Sequence, residues 1–445
     1  MTILLLLGTI TFIILLTAVW KIHPLPVLFL GAFLFGAFSG FGVQETLLLL
    51  SAGFGNTIRG IGLIIILGTI IGAFMEQRGA LRVIAEKIIG TLGRKRAPFS
   101  MSLVGFIIST CIFCDSAFII LIGIWQKIGK IAKLPLAVGT VALSLGLLSS
   151  HCFVPPMPGP VAAITVLGAD FGKVLLFGLP AAFVAAMAGY FYASLAGKNE
   201  ILEIREAEIP EESAEKTVFK HHWPVAFLPI LVPLFLIGSV SIAGMFKENL
   251  PTGIYDILKI SGNPVSALFI GAVIAIFVIG KCHQKELATE GLIGKAVLNA
   301  ANILMITGAG GAFGEVLKQI DFKYLLHENI TLTGVLALLI PLSFSAILKI
   351  AQGSSTLAIL TSASAVFPLL EPLGLTSPTM RALTCCAICC GSMIVSHTND
   401  SYFWVVTKFS GMSVRQGLKL QTIGSLVSGI SAAAVILTLA FIFGE

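Results

Sequence analysis

Gly72-Ala73-Phe74-Met75-Glu76 lies in the first half of the chain and Gly311-Ala312-Phe313-Gly314-Glu315 in the second. Each opens the same succession of landmarks. Thirty-nine residues after Glu76 comes Asp115, within Phe113-Cys114-Asp115-Ser116, and thirty-nine after Glu315 comes Ser354, within Gln352-Gly353-Ser354-Ser355-Thr356. Each half then carries Ser-His before a helix-breaking polar run. These are Ser150-His151 ahead of Val154-Pro155-Pro156, and Ser396-His397 ahead of Thr398-Asn399-Asp400-Ser401. Polar interruptions that recur in one order inside apolar segments point to a membrane protein built from two structural repeats.

Composition sets the medium. Apolar residues are 56% of the 445 and charged residues 11%, against about 25% charged in soluble domains; the mean hydropathy is +1.00. A soluble fold of this size cannot hide so much apolar surface, so the lipid bilayer is the expected surroundings. The length accommodates about ten spans of roughly 20 residues. Residues 2–19 have no basic stretch before them and no small-residue cleavage site after, so they read as a retained span and not a signal peptide. The net charge of +6 comes from short loops between apolar runs, where Lys and Arg set topology; it does not indicate nucleic acid. Cys111 and Cys114 form a Cys-x-x-Cys without histidine partners, and Cys385, Cys386, Cys389 and Cys390 share one expected span. They read as small packing residues, and no metal or cofactor is expected.

Spans are expected near 2–19, 24–41, 57–75, 134–168, 172–196, 223–244, 263–280, 294–313, 378–409 and 417–442. The runs 134–168 and 378–409 are too long for one span and carry a polar break. The runs 98–126 and 331–368 are each two half-length apolar arms around a small polar tip, the pattern of a re-entrant hairpin. Irregular backbone at membrane depth is tolerated only where protein buries it or it lines a cavity.

The basic residues orient these segments. With the amino terminus outside, 20 of the 28 Lys and Arg fall on the inner side and 7 on the outer, with Lys349 within the membrane, an asymmetry of the expected sign. The first hairpin then enters from the inside and the second from outside, so the repeats are inverted, as alternating access requires. The expected fold is therefore an all-α membrane protein of about ten transmembrane helices plus two re-entrant hairpins in two inverted-topology repeats. Residues 1–196 form the first repeat, 197–222 an acidic solvated linker, and 223–445 the second repeat.

Charged groups at bilayer depth are costly, so each is a candidate functional group. Asp115 falls at the first hairpin tip with Ser116 beside it. Asp400 falls in the second break between Asn399 and Ser401, and His151 and His397 stand at the start of each break. Lys349 precedes the second tip by one helical turn and would attract an anion. Each has a plainer reading. Either aspartate could cap a half-helix, Lys349 could snorkel, the histidines could hydrogen-bond within their breaks, and Glu76 and Glu315 could lie at membrane ends.

Pro155-Pro156-Met157-Pro158-Gly159-Pro160 is harder to read as structural only, because prolines remove N–H donors and end a helix. The restarted helix presents free N–H groups and partial positive charge at mid-membrane. Four such starts are expected to converge: after Asp115, after Pro158, after Gly353 and after Asp400. Gln352, Gly353, Ser354, Ser355 and Thr356 add amide and hydroxyl groups. The set Asp115, Ser116, His151, Gly159, Gln352–Thr356, His397, Asn399, Asp400 and Ser401 suits a small organic anion, with carboxylate on N–H groups and hydroxyls on Asp, Asn and Ser.

Gln352-Gly353-Ser354-Ser355-Thr356, Ser396-His397-Thr398-Asn399-Asp400-Ser401-Tyr402-Phe403-Trp404, and His151 followed by the proline run resemble the gluconate permease family of the ion transporter superfamily. The resemblance covers nearly the whole chain. It implies a proton-coupled importer of gluconate or a related sugar or hydroxy acid in the inner membrane. It further implies a homodimer, a scaffold domain, and a transport domain that moves as an elevator. Proton-coupling candidates are then Asp115, Asp400, His151 and His397. The chain departs from the family pattern at Tyr402, where glycine is commoner, and at Met157, where histidine is. With these departures the pocket is open to a smaller or less polar substrate than gluconate, such as glycerate, 3-hydroxybutyrate or D-serine. Sodium coupling on the same fold remains open, since the breaks expose carbonyls. A membrane enzyme is disfavoured because no nucleophile motif or metal-ligand spacing accompanies the histidines and aspartates.

Overall fold

The computed structural model describes residues 2–202, 223–245, 251–280, 282–319 and 334–444, and every regular element among them is helical. In chain order these are α1 (Thr2–Ile14), α2 (Pro24–Phe38), α3 (Val43–Gln77), α4 (Ala80–Leu92), α5 (Ala97–Ile108) and α6 (Cys114–Ile131). Next come α7 (Leu136–Phe153), α8 (Pro158–Leu167), α9 (Phe171–Ala196), α10 (Leu228–Met245), α11 (Thr252–Ser261), α12 (Pro264–Val273) and α13 (Gln284–Leu287). The chain ends with α14 (Leu292–Lys318), α15 (Leu339–Gln352), α16 (Ser355–Val366), α17 (Pro378–Met393), α18 (Ser401–Ser410), α19 (Val414–Gly417) and α20 (Ile423–Phe443).

Seven stretches among the described residues are long and apolar enough to cross a membrane, and a bent pair at Gly253–Ser261 and Pro264–Val278, 66° apart, makes an eighth if taken as one span. Ten were expected from the sequence, and one of the seven, Gly334–Gln352, is not among those ten but is the first arm of the expected second hairpin, which at 19 residues is longer than a half-length arm. The rest of the difference lies in short or broken elements. α2 has only 15 residues, and 378–409 divides into α17 of 16 residues and α18 of 10. α3 starts at Val43, not near 57, because Gln44, Glu45, Asn56 and Arg59 lower its hydropathy yet lie on its exposed side. The charged segments around Arg82 and Asp256 are helices, α4 and α11, and not plain loops. The acidic residues of the linker from Glu203 to Glu215, and residues 331–333 of the second hairpin, lie outside the described residues.

Helices end where the backbone requires it. Ser377 accepts from Met380 N at 3.1 Å and Pro378 opens α17, a serine cap followed by proline at the first helical position. α7 stops before Val154 and the cis Pro155-Pro156 bond, and α8 restarts on Pro158. Val395, with φ 59°, stands between α17 and α18. Positive φ in a β-branched residue is an outlier, and such strain concentrates at functional sites.

The helices pack in two groups. In the first, α3 and α14 cross closely, with α2 against α14 and α12 against α3. A Cβ at Gly53 would lie 2.6 Å from the Gly311 carbonyl oxygen, so only glycine permits this approach. In the second group α5 packs on α7 and α15 on α17, while α6 packs on α18 and α16 on α8. Each hairpin therefore packs both arms on the broken helix of its own half and its second arm also on that of the opposite half. α7 is buried on every side from Ala137 to Phe153, the pattern of a central helix that is apolar all round. α3 bridges the groups. Its Gly68 faces Pro156, whose Cγ would be 3.2 Å from an added Cβ, and its Gly72 faces the Cys111 carbonyl oxygen at 2.9 Å.

Candidate functional site

Four helices start where the interruptions meet: α6 at Cys114, α8 at Pro158, α16 at Ser355 and α18 at Ser401. Gly159 at the start of α8 lies on α16, and its missing Cβ would be 3.6 Å from Thr356 Cα. Ser355 Oγ donates to Ser392 O at 2.9 Å, joining α16 to α17. The Tyr402 ring meets Phe118 edge-on at 6.2 Å, joining α18 to α6. Asp115 and His151 both lie within electrostatic reach of Lys349 and Asp400. The structure thus brings together both hairpin tips and both breaks at four helix starts, whose first N–H groups lack intrahelical acceptors, although Asp400 takes Tyr402 N and Ser354 takes Leu357 N.

The second tip is heavily bonded. Lys349, only 1% exposed, donates to Asp400 Oδ2 at 2.6 Å and to Gly353 O at 3.1 Å. Asp400 Oδ2 also accepts from Ser396 Oγ at 2.5 Å, and its Oδ1 accepts from Tyr402 N at 3.0 Å. Asn399 Nδ2 donates to Ile350 O at 2.6 Å and Ala351 O at 3.2 Å, and His397 Nε2 lies 3.0 Å from Ile350 O. Gly353 has φ +76°, and a Cβ there would overlap the Asn399 carbonyl. Ser354 caps α16 through Leu357 N at 3.4 Å.

The first tip bonds its own turn, with Ser109 Oγ donating to Ile112 O at 3.0 Å and Thr110 Oγ1 donating to Ile107 O at 2.7 Å, but its carboxylate is sparsely held. Asp115 meets its own backbone N–H and the Cys114 thiol, 3.8 Å from Oδ2, while its Oδ1 is buried without a hydrogen-bond partner among the described residues. His151 Nδ1 and Gln352 Oε1 share that condition. The His151 ring tilts against Phe113 at 6.0 Å. Ser116 and Thr356 are half-buried and Ser401 is exposed. Buried polar atoms without partners cost about 1–3 kcal/mol each, and these three stand at the hairpin tips and the first break.

Several sequence expectations change here. Asp400 does cap α18, but Asp115 caps nothing, because α6 begins one residue before it with no side-chain cap. His397 bonds to the arm of the second hairpin and not within its own break. Lys349 does not snorkel, and its charge already faces a carboxylate. Tyr402 is buried with its hydroxyl donating to Ser144 O at 3.0 Å, so it ties α18 to α7. Glu315 pairs with Lys318 at 3.1 Å near the end of α14. Sequence reasoning missed the support from the last helical segment. Ser425 Oγ accepts from Ser396 N at 2.9 Å, Thr422 Oγ1 donates to Ser396 O at 2.6 Å, and Ser144 Oγ donates to Gln421 Oε1 at 2.8 Å. The signal was the polar run Gln421-Thr422 at the head of an apolar span. Among the described residues no group of His, Cys, Asp and Glu is placed to hold a metal.

The GntP family permease model matches residues 1–442. The chain is 30% identical to the gluconate permease of Pseudomonas aeruginosa over 98% of this chain and 97% of that protein. It is 30% identical to a D-serine transporter of Escherichia coli over 98% of both. In structure it resembles the YdaH transporter of Alcanivorax borkumensis, described as having an unusual topology. That likeness has a TM-score of 0.63 over 95% of this chain and 99% of that one, at 14% identity, and it speaks to the fold. With its apolar helices and these relatives, the chain belongs to the GntP permease family and is a multi-pass membrane transporter, not an enzyme.

Proposed function

We propose that this protein is a secondary active transporter that imports gluconate or a related sugar acid or hydroxy acid together with protons. The observation that carries the reading is the convergence of four helix starts on a cluster that contains a buried carboxylate oxygen with no partner among the described residues, Asp115 Oδ1. The substrate carboxylate sits on N–H groups of the helix starts, and its hydroxyls meet Asp115, Ser116, Gln352 and Thr356. Asp115 or Asp400, or the histidine beside either, takes the proton, which neutralises a buried charge before the loaded domain crosses the bilayer. The P. aeruginosa relative named as a gluconate permease supports the substrate class.

The architecture follows the same reading. About ten spans and two re-entrant hairpins, α5–α6 and α15–α16, form two inverted repeats over 1–196 and 223–445. The reciprocal packing of each hairpin on both broken helices supports this pairing. The group built on α3 and α14 serves as the scaffold of a homodimer, and the group carrying the hairpins moves against it. The amino terminus faces outward from the inner membrane, with the acidic linker 197–222 inside. The alternative substrate is a smaller carboxylate such as glycerate, 3-hydroxybutyrate or D-serine, which the D-serine transporter among the relatives favours.

Uptake of labelled gluconate into proteoliposomes under an inward proton gradient tests the reading, with the smaller acids as competitors. Accumulation that a protonophore collapses and that gluconate blocks best is the expected result. Transport of only a smaller competitor moves the substrate, and dependence on sodium at fixed pH removes proton coupling.

A further inference from the structure

We infer that Lys349 and Asp400 are an internal counter-ion pair fastening the second hairpin tip to the second break, and that Asp115 is the carboxylate that carries the coupled proton. The inference rests on the proposed proton-coupled transport and assigns its parts. Asp400 has three donors on its two oxygens: Lys349 Nζ, Ser396 Oγ and Tyr402 N. A proton on Asp400 would compete with them and strand the Lys349 ammonium at 1% exposure, and an uncompensated buried charge is strongly penalised. Lys349 in turn spends two donors inside its own half, on Asp400 Oδ2 and Gly353 O.

Asp115 is placed oppositely. Its Oδ1 is buried without a partner among the described residues, and the carboxylate otherwise meets only its own backbone N–H and the weak Cys114 thiol donor there. A proton arriving from the outer solution forms an O–H on Oδ1, displaces no existing bond, and leaves as the same proton on the inner side. The charges balance in the same way. Lys349 and Asp400 cancel, so ionised Asp115 leaves the cluster with one negative charge. A substrate monoanion adds a second, and the proton on Asp115 removes one. The groups within electrostatic reach of Asp115 are Cys114 on its own helix, Lys349 on α15, and Asp400 and Tyr402 at the second break, while His151 on α7 shares Lys349 and Asp400 with it and Cys152 on α7 reaches Cys114. Among them only Lys349 offers a fixed positive charge, and Asp400 already holds it.

The test uses purified wild type, Lys349→Met, Asp400→Asn, the double variant Lys349→Met/Asp400→Asn, and Asp115→Asn. Readouts are the melting temperature, labelled-gluconate exchange, and proton-driven gluconate accumulation in proteoliposomes. Each single change of the pair lowers the melting temperature and cuts exchange by roughly a hundredfold, and the double variant recovers most of both. The double variant still accumulates gluconate on a proton gradient, whereas Asp115→Asn exchanges gluconate without accumulating it. A double variant no better than the worse single one, in melting temperature and exchange, overturns the internal pair. Accumulation by Asp115→Asn overturns its role as carrier. If wild type moves no gluconate, the proposed transport falls and the Asp115 assignment with it. The melting temperatures still decide the pair.

Discussion

The two hairpin tips have similar positions and opposite chemistry. The second is closed on itself. Lys349, Asn399 and His397 tie it to the second break, and Gly353 lets the Asn399 carbonyl approach where no side chain fits. The first carries Asp115 with a buried oxygen that nothing in the described residues satisfies. Polar groups inside a membrane protein are costly unless paired. The second tip is held mostly by internal bonds, although Gln352 Oε1 there has no partner among the described residues, and the first holds a carboxylate with few. The proposed function gives rigidity to the second tip and chemistry to the first.

The sharpest way to break the contrast is Gly353→Ala. It demands a positive φ from alanine, worth about 1–3 kcal/mol of strain, and forces the tip off Asn399. Transport is expected to vanish and the melting temperature to fall; retained exchange at wild-type rate would show that the second tip need not be closed. A smaller effect comes from Asn399→Ala, which removes the bonds to Ile350 O and Ala351 O at a cost of about 1 kcal/mol. Alkylation of a reporter cysteine at Ser354 should then speed up several-fold, while an unchanged rate would mean that Asn399 does not hold the tip.

Tyr402→Phe is milder still. It deletes the bond to Ser144 O, worth about 1 kcal/mol, and keeps the ring against Phe118. Turnover should drop slightly with competitor preference unchanged; a shift in preference would place the hydroxyl in the pocket. The smallest effect is expected away from both tips. Lys419 and Gln416 hold the half-buried Glu200 carboxyl below the usual carboxylate range. Its stabilising contribution is present at neutral pH and lost as pH falls through that lowered value. Glu200→Gln should leave gluconate kinetics unchanged, and a change in them would connect this surface pair to the transport step.

The interruptions were legible because proline, glycine and charge stand out inside apolar runs: Pro155-Pro156, Gly353 and Asp400 mark the places where helices end or begin. The first 14 residues of α3 were not, because its polar residues lie on one exposed face and window-averaged hydropathy cannot see faces. α4 and α11 were hidden for the same reason. Within the site, sequence reasoning found Lys349, Asp115 and Asp400 as costly groups but could not apportion them. Which carboxylate Lys349 holds is decided by packing between segments 51 residues apart. The capping role could fall to either aspartate until the start of α6 at Cys114 excluded Asp115.

The most direct measurement is an experimental structure with gluconate bound. The account predicts ligand density among the starts of α6, α8, α16 and α18, with a hydroxyl on Asp115 and the Lys349–Asp400 pair intact. Density elsewhere, or a gluconate carboxylate on Lys349 with Asp400 displaced, would contradict it.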